Sequence, residues 1–225
     1  MDLSPHAFFN LESFEHRSLF DGLTHVWEAL KRVEAYLAEH LKPGIQGEVH
    51  DGAWVDSDVY IGPGAVVEPG ALVKGPTIIG AGAVVRHGAY VRGNCVVGKK
   101  CVVGHATELK HVIMLDGSQA AHFNYVGDSI LGAGVNLGAG TKLSNLKNDG
   151  KEVVVRTADR SINTGMRKLG AVLGDRVHMG CNSVTSPGTL VGPGSAVYPN
   201  AVLRGVYPAA SVIKLRQHIE TVPAR

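Results

Sequence analysis

The densest run of chemically competent side chains lies between Lys110 and Asp128. It reads Lys110-His111-Val-Ile-Met-Leu-Asp-Gly-Ser-Gln-Ala-Ala-His122-Phe-Asn-Tyr125-Val-Gly-Asp128 and is followed by Gly132-Ala-Gly-Val-Asn136-Leu-Gly-Ala-Gly140. An imidazole titrates near neutral pH, so His122 is the candidate general base. Arg92 stands 30 residues before it and Lys110 stands 12 before it. Cations gathered round one base suit a phosphorylated substrate.

These residues sit on a repeat. Stepping by six from Val49, an aliphatic residue recurs at Val55, Ile61, Val67, Val73, Ile79, Val85, Val91, Val97, Val103, Leu109 and Leu115. Two positions earlier stands a mostly small residue, as at Ala53, Ala65, Ala71, Ala83, Ala89, Cys95 and Cys101. A second tract keeps the step at Leu173, Met179, Thr185, Val191, Val197 and Leu203. Between the tracts the rhythm slips by one residue near Val126 and resumes at Leu131, Leu137 and Leu143. Six residues make a short strand and a turn, and three such units make one triangular coil of about 18 residues. The aliphatic residue fills the interior, the small one lets the corner close, and successive coils pair about 4.8 Å apart. At that coil length both Arg92 and Lys110 fall on coils neighbouring His122. The slip coincides with the chemical run, and a local break in a rule marks an expected functional site.

The ends differ from the repeat. Leu23, Val26, Trp27, Leu30, Val33, Leu37 and Leu41 recur at helical spacing over 22–41 and stop at Pro43-Gly44, so residues 1–44 form an extension whose amphipathic helix caps the coils. Phe8, Phe9, Phe14 and Phe20 drape over the coil surface. The β-helix is expected over 45–205, with a loop excursion at 145–170 rich in Lys and Arg. A loop this long in a regular solenoid is usually functional, and a solvated hairpin is its plain alternative. The tail 206–225 is expected to be partly helical, near Ser211–Ile219.

Composition narrows the class. The 225 residues include 29 Gly and only 6% aromatics, which argues against a helical bundle. The net charge of +2 points to neither nucleic acid nor an anionic membrane. Three Cys make no disulfide framework, the N-terminus reads as no signal peptide, and a cytoplasmic location is expected. Cys95 and Cys101 occupy the small inward position and read as core, whereas Cys181 is more open.

The run His122-Phe-Asn-Tyr-Val-Gly-Asp, then Val135-Asn-Leu-Gly-Ala-Gly-Thr141 and Asn145, resembles the glucosamine-1-phosphate N-acetyltransferase domain of the bifunctional UDP-N-acetylglucosamine-forming enzymes. Asn163-Thr-Gly-Met-Arg-Lys-Leu-Gly-Ala-Val-Leu-Gly-Asp175 is similar to the archaeal-type sugar-phosphate nucleotidyltransferase/acetyltransferases. The resemblance implies a mainly β protein, a left-handed parallel β-helix of hexapeptide repeats, assembled as a homotrimer with active sites at the subunit interfaces. It implies acetyl-CoA as acyl donor, an amino-sugar phosphate as acceptor, and no catalytic metal. By the same resemblance His122 is the catalytic base. Arg92, Lys110, Tyr125, Asn136 and Lys151 hold the sugar phosphate. Ala139 and Asn145 contact acetyl-CoA, and Cys181 stands where the bacterial enzymes carry Ser near the CoA thiol. Only about 44 residues precede the coils, so no nucleotidyltransferase domain and no uridylyl transfer are expected. Backbone N–H groups of the Gly138-Ala139 turn are candidates for stabilising the oxyanion.

Three other readings compete. His105, His111 and His122 could hold Zn²⁺ as in γ-type carbonic anhydrases, but a full hexad between the first two separates them. A non-catalytic trimeric binding or assembly module is the second. An acyltransferase for another amino sugar or sugar nucleotide is the third. Gly80-Ala-Gly-Ala and Gly132-Ala-Gly resemble pieces of a nucleotide-binding loop, but they sit at hexad turns with no helix following.

Overall fold

The computed structural model describes residues 1–223. Its body is a left-handed parallel β-helix whose strands are mostly two or three residues long. One face runs through Val59–Ile61, Thr77–Ile79, Cys95–Val97 and onward to Val206–Tyr207. A second runs through Trp54–Val55, Leu72–Val73 and Tyr90–Val91 to Val202–Leu203. The third runs from Glu48–Val49 to Val212–Ile213. The seven-residue strands Glu108–Met114 and Tyr125–Leu131 bend round the corner between the first two faces and join them into one sheet.

The hexad explains the interior. Val67, Val73, Ile79, Val85, Val91, Val97 and Val103 are all fully buried in one continuous core. Each such side chain contributes roughly 1.5–3 kcal/mol by leaving water. Ala and Cys pack beside them, and burial pushes the Cys95 thiol up to about 12 and Cys101 to about 11. These are inert core thiols, while Cys181 is exposed.

One stretch of the hexad departs from the expected register. After Leu109 the inward residue is Met114, not Leu115, so the repeat loses a residue before Val126 as well as after it. Strand pairing falls from 18 residues, as in Val91↔Leu109, to 17, as in Leu109↔Val126. His111 and Asp128 sit at the two shortened corners with φ of 56° and 44°. Leu115 turns outward and packs with the N-terminal segment instead.

That segment covers the first face. Outward Ile78, Val96, Ile113, Ile130, Val172 and Leu190 form one buried cluster with Phe8, Phe9, Phe14 and Phe20. Helix α1 (Glu28–His40) buries Ala29, Leu30, Val33 and Leu37. It begins later than its apolar spacing suggests, because Gly22 turns at φ 67° and the Val26 N–H donates to the Leu3 carbonyl at 2.8 Å.

Two further expectations change. The excursion, expected as a loop with a solvated hairpin as its alternative, is a hairpin, but one packed on the body rather than solvated. Val154–Arg156 and Ser161–Asn163 pair as an antiparallel hairpin, and Val153, Val155, Met166 and Leu169 bury beside the N-terminal cluster. In the tail no helix forms between Ser211 and Ile219. Val212–Ile213 pairs with Ala196–Val197, so the repeat runs past 205 and coil pairing takes the backbone groups a helix would use. Residues 224 and 225 lie outside the described part. No helix among the described residues is long and apolar enough to cross a membrane.

Candidate active site

His122 stands on the edge between the second and third faces. The coil ladder stacks His87, His105, His122, Ala139 and Cys181 up this edge, since Ala106 N donates to His87 O, Phe123 N to His105 O, Gly140 N to His122 O and Asn182 N to Ala139 O. His105 and His122 are direct pairing partners. Buried Asn124 fixes the edge: its Oδ1 accepts from the His122 N–H at 3.1 Å and its Nδ2 donates to the Gly138 carbonyl at 2.9 Å. The close approach of coils needs Gly104, where an added Cβ would collide with the Ala121 backbone.

The imidazoles on the edge differ. His87 Nδ1 meets the Pro69 carbonyl at 2.6 Å and His105 Nδ1 the His87 carbonyl at 2.9 Å. Their rings stack with centroids 5.6 Å apart. His122 is exposed, and among the described residues its ring makes no hydrogen bond, so both nitrogens are available to a ligand.

Arg92 and Tyr125 lie on the second face beside that edge. The Arg92 guanidinium donates to Glu108 at 2.8 Å, a bond that raises its pKa further, and lies 6.0 Å from the Tyr90 ring centre. Tyr125 pairs in register with Glu108, and burial together with the Glu108 charge pushes its phenol up. Gly127 leaves room for the Tyr125 hydroxyl and the Asn145 amide, which an added Cβ would meet at 2.7 and 2.6 Å.

Lys110 and Asn145 belong to a different cluster, at the shortened corner between the second and first faces. Asp128, only 4% exposed, accepts from Lys110 Nζ at 2.8 and 3.0 Å and from the Asn145 amide, and faces His111 Nδ1 at 3.0 Å. His111 Nε2 reaches the Leu30 carbonyl of α1 at 2.9 Å. Burial alone would push the Asp128 carboxyl up. The bonds from His111, Lys110 and Asn145 outweigh it and hold the group below the ordinary carboxylate range. Sequence reasoning assigned no role to Asp128, Glu108 or Asn124. The five-residue steps from Leu109 to Met114 and from Val126 to Leu131 were the available signal for Asp128.

The remaining candidates are dispersed within one chain. Asn136 points outward on the third face between Gln119 and His178. Lys151 is exposed at the neck of the hairpin, where its N–H donates to Asp149. Ala139 and Cys181 lie one and two coils above His122. Of the two amides considered for an oxyanion, Gly138 N–H is committed to the Met179 carbonyl at 2.8 Å, leaving Ala139 N–H. His111 is held between Asp128 and α1, apart from the His105–His122 edge. Among the described residues no group of three or more His, Cys, Asp or Glu is placed to hold a metal ion.

The coils and their ladder make this a hexapeptide-repeat protein of the left-handed β-helix class. Residues 73–180 match the family model described as the GMPPB C-terminal domain. Over 193 residues, 86% of this chain and 46% of the relative, the sequence is 42% identical to the bifunctional protein GlmU of Methanococcus maripaludis strain C7. Over 98 residues, 44% of this chain and 24% of the relative, it is 42% identical to the bifunctional sugar-1-phosphate nucleotidylyltransferase/acetyltransferase of Sulfurisphaera tokodaii. The chain thus resembles the hexapeptide-repeat acetyltransferase part of these bifunctional enzymes, and it spans about half the length of the GlmU relatives it matches. A UDP-N-acetylglucosamine acyltransferase from Arabidopsis aligns over 74% of this chain and 70% of its own, with a TM-score of 0.47 and 15% identity.

Proposed function

We propose that the chain is an acetyl-CoA-dependent N-acetyltransferase acting on an amino-sugar phosphate such as glucosamine-1-phosphate. The observation that carries this reading is the exposed edge on which His122, Ala139 and Cys181 stack, with Arg92 and Tyr125 on the face beside it. The similarity to a bifunctional sugar-1-phosphate nucleotidylyltransferase/acetyltransferase supplies the chemical class.

In the reaction the neutral amine nitrogen of the bound sugar forms a bond to the thioester carbonyl carbon while His122 takes the proton that nitrogen loses, and Ala139 N–H faces the developing oxyanion. Collapse breaks the carbon–sulfur bond and releases CoA thiolate, which recovers the proton carried by His122. Holding both substrates along one edge supplies much of the remaining rate. The edge runs past Cys181, so CoA lies along the coil axis and the sugar phosphate lies toward Arg92 and Tyr125.

The site is completed by a homotrimer. A β-helix surface is convex, and a groove arises where two prisms meet. Trp54 is 69% exposed and Val202 73% exposed on the second face, and Tyr198 is 45% exposed near the same edge. Such apolar exposure fits a buried subunit contact. Asn136 and Lys151 lie away from Arg92 in one chain, and a neighbouring subunit brings an equivalent of each to the edge. Because no group among the described residues orients the His122 ring, that orienting contact comes across the same interface.

Thiol release from acetyl-CoA with a panel of amino-sugar phosphates and sugar nucleotides tests the assignment, with light scattering for the assembly. Turnover with glucosamine-1-phosphate by a trimer supports it. Turnover only with a sugar nucleotide moves the acceptor class. Silence across the panel favours the binding-module reading, for which Arg92 being occupied by Glu108 and Lys110 by Asp128 is the supporting observation.

A further inference from the structure

Lys110 and Asp128 form a pair in which both carboxylate oxygens accept from one ammonium, at 2.8 and 3.0 Å. Two opposite charges this close largely cancel beyond their own separation, so the pair alone attracts a phosphate weakly. A third charge changes that count. His111 lies against the same carboxylate, at the corner that α1 covers.

Both ring nitrogens of His111 face acceptors. Nε2 lies 2.9 Å from the Leu30 carbonyl and Nδ1 lies 3.0 Å from Asp128 Oδ1. A carbonyl oxygen has no proton to give, so Nε2 donates. Asp128 already accepts two bonds from Lys110 and one from the Asn145 amide, all of which favour the ionised carboxylate, so Nδ1 donates as well. A neutral imidazole has a single N–H and makes only one of these contacts. The ring that makes both is the imidazolium. Leu30 belongs to α1, whose Ala29, Leu30, Val33 and Leu37 are buried, so the packed helix fixes the ring between its two partners.

The corner then holds two cations against one carboxylate and keeps one positive charge in excess. Both N–H groups of His111 are spent on Asp128 and Leu30, so the excess is available at Lys110, whose side chain is 25% exposed. Lys110 pairs in register with Gly127, beside which the Tyr125 hydroxyl and the Asn145 amide crowd, so this corner continues into the face that carries Arg92 and Tyr125. We propose that His111 is a positioning residue for phosphate binding: as an imidazolium held by α1 it shares the Asp128 charge and leaves Lys110 able to bind a phosphate oxygen. This role rests on the sugar-phosphate reading of the site. His111 acts through Asp128 and Lys110 and touches no substrate atom.

Two measurements on the full chain test it, and neither needs turnover. The first is the nitrogen-15 spectrum of the histidine rings near neutral pH, with the His111 signals identified by their loss in H111Q. Protons on both His111 nitrogens are expected, and one bare nitrogen overturns the proposal whether or not any variant folds. The second is isothermal titration with glucosamine-1-phosphate. H111Q, which lacks the charge, should weaken binding roughly tenfold or more, while H111R, which keeps a charge and two donors, should restore it. Thermal melting shows that the variants compared are folded. No binding by the wild type, binding insensitive to H111Q, or a folded H111R that binds no better than H111Q overturns the proposal. Thiol release from acetyl-CoA is read separately. Binding without turnover defeats the catalytic reading and leaves this role standing, whereas turnover with a singly protonated His111 does the reverse.

Discussion

Lys110 Nζ lies 2.8 Å from the Asp128 carboxylate, across the corner where two successive coils each lose a residue. With His111 extending the contact to Leu30, this corner joins the repeat to the helix that covers it. Lys110 and Asn145 therefore hold structure here, in addition to any contact with substrate.

Removing the centre of that cluster is costly. Asp128→Ala leaves Lys110 and His111 without their common acceptor, and breaking a buried ion pair from one side costs about 3–5 kcal/mol. Urea unfolding should show that loss. Glu108→Gln, which breaks the more exposed Arg92 pair, should cost less than about 1 kcal/mol. Equal costs would contradict the distinction between the two corners.

Acid should act through the same carboxylate. Because the Asp128 pKa is lowered in the folded chain, its contribution is complete above the ordinary carboxyl value and is lost as pH falls through the folded one. Burial pushes the Asp175 carboxyl up despite N–H bonds from Asn10 and Ala133, so its contribution has the opposite sign and favours folding on the acid side. Melting temperature against pH should fall less steeply on the acid side for D128N than for wild type. A steeper fall would mean that Asp128 is not the group responsible.

The N-terminal cover should be obligatory. Deleting residues 1–41 uncovers Ile78, Val96, Ile113, Ile130, Val172 and Leu190 as one continuous stripe. The truncated chain is expected to aggregate. Ile130→Ala within the full chain should cost about 2–5 kcal/mol by cavity formation. A soluble, fully folded truncated chain would show that this stripe needs no cover.

Much of this was legible in the sequence, for a physical reason. A coil repeats one local environment, so an inward Val recurs at fixed spacing and the period can be counted. The helix over Leu30–Leu37 was legible through its apolar spacing, although Gly22 and the Val26–Leu3 bond set its start, which spacing alone does not encode. Leu115 continued the hexad in type but not in place, because Leu and Met fill an interior equally well and only pairing distinguishes them. Tail residues Val212 and Ile213 suit helix or strand alike, and the preceding coil decided between them. In the candidate site, the motif singled out His122, which stands exposed on the coil edge. The partners of Lys110 and Asn145 were not, since Asp128 meets them across coils 17 or 18 residues apart.

Backbone approach at the edge gives a subtler test. Gly104→Ala drives a methyl group into the Ala121 backbone, one residue before His122, and the coil must shift to admit it. Acetyl transfer should fall more than tenfold while Gly64→Ala, whose added Cβ meets open space but adopts φ of 65°, alters stability without touching the edge. Activity unaffected by G104A would mean that the position of the His122 strand does not matter.

The most direct measurement is the kcat/KM for thiol release from acetyl-CoA with glucosamine-1-phosphate, compared between the wild-type chain and His122→Ala. The account predicts a fall of about 100-fold or more with unchanged assembly and melting, the loss expected for a general base. An active wild type whose H122A variant keeps its rate would contradict the central claim that His122 is the base.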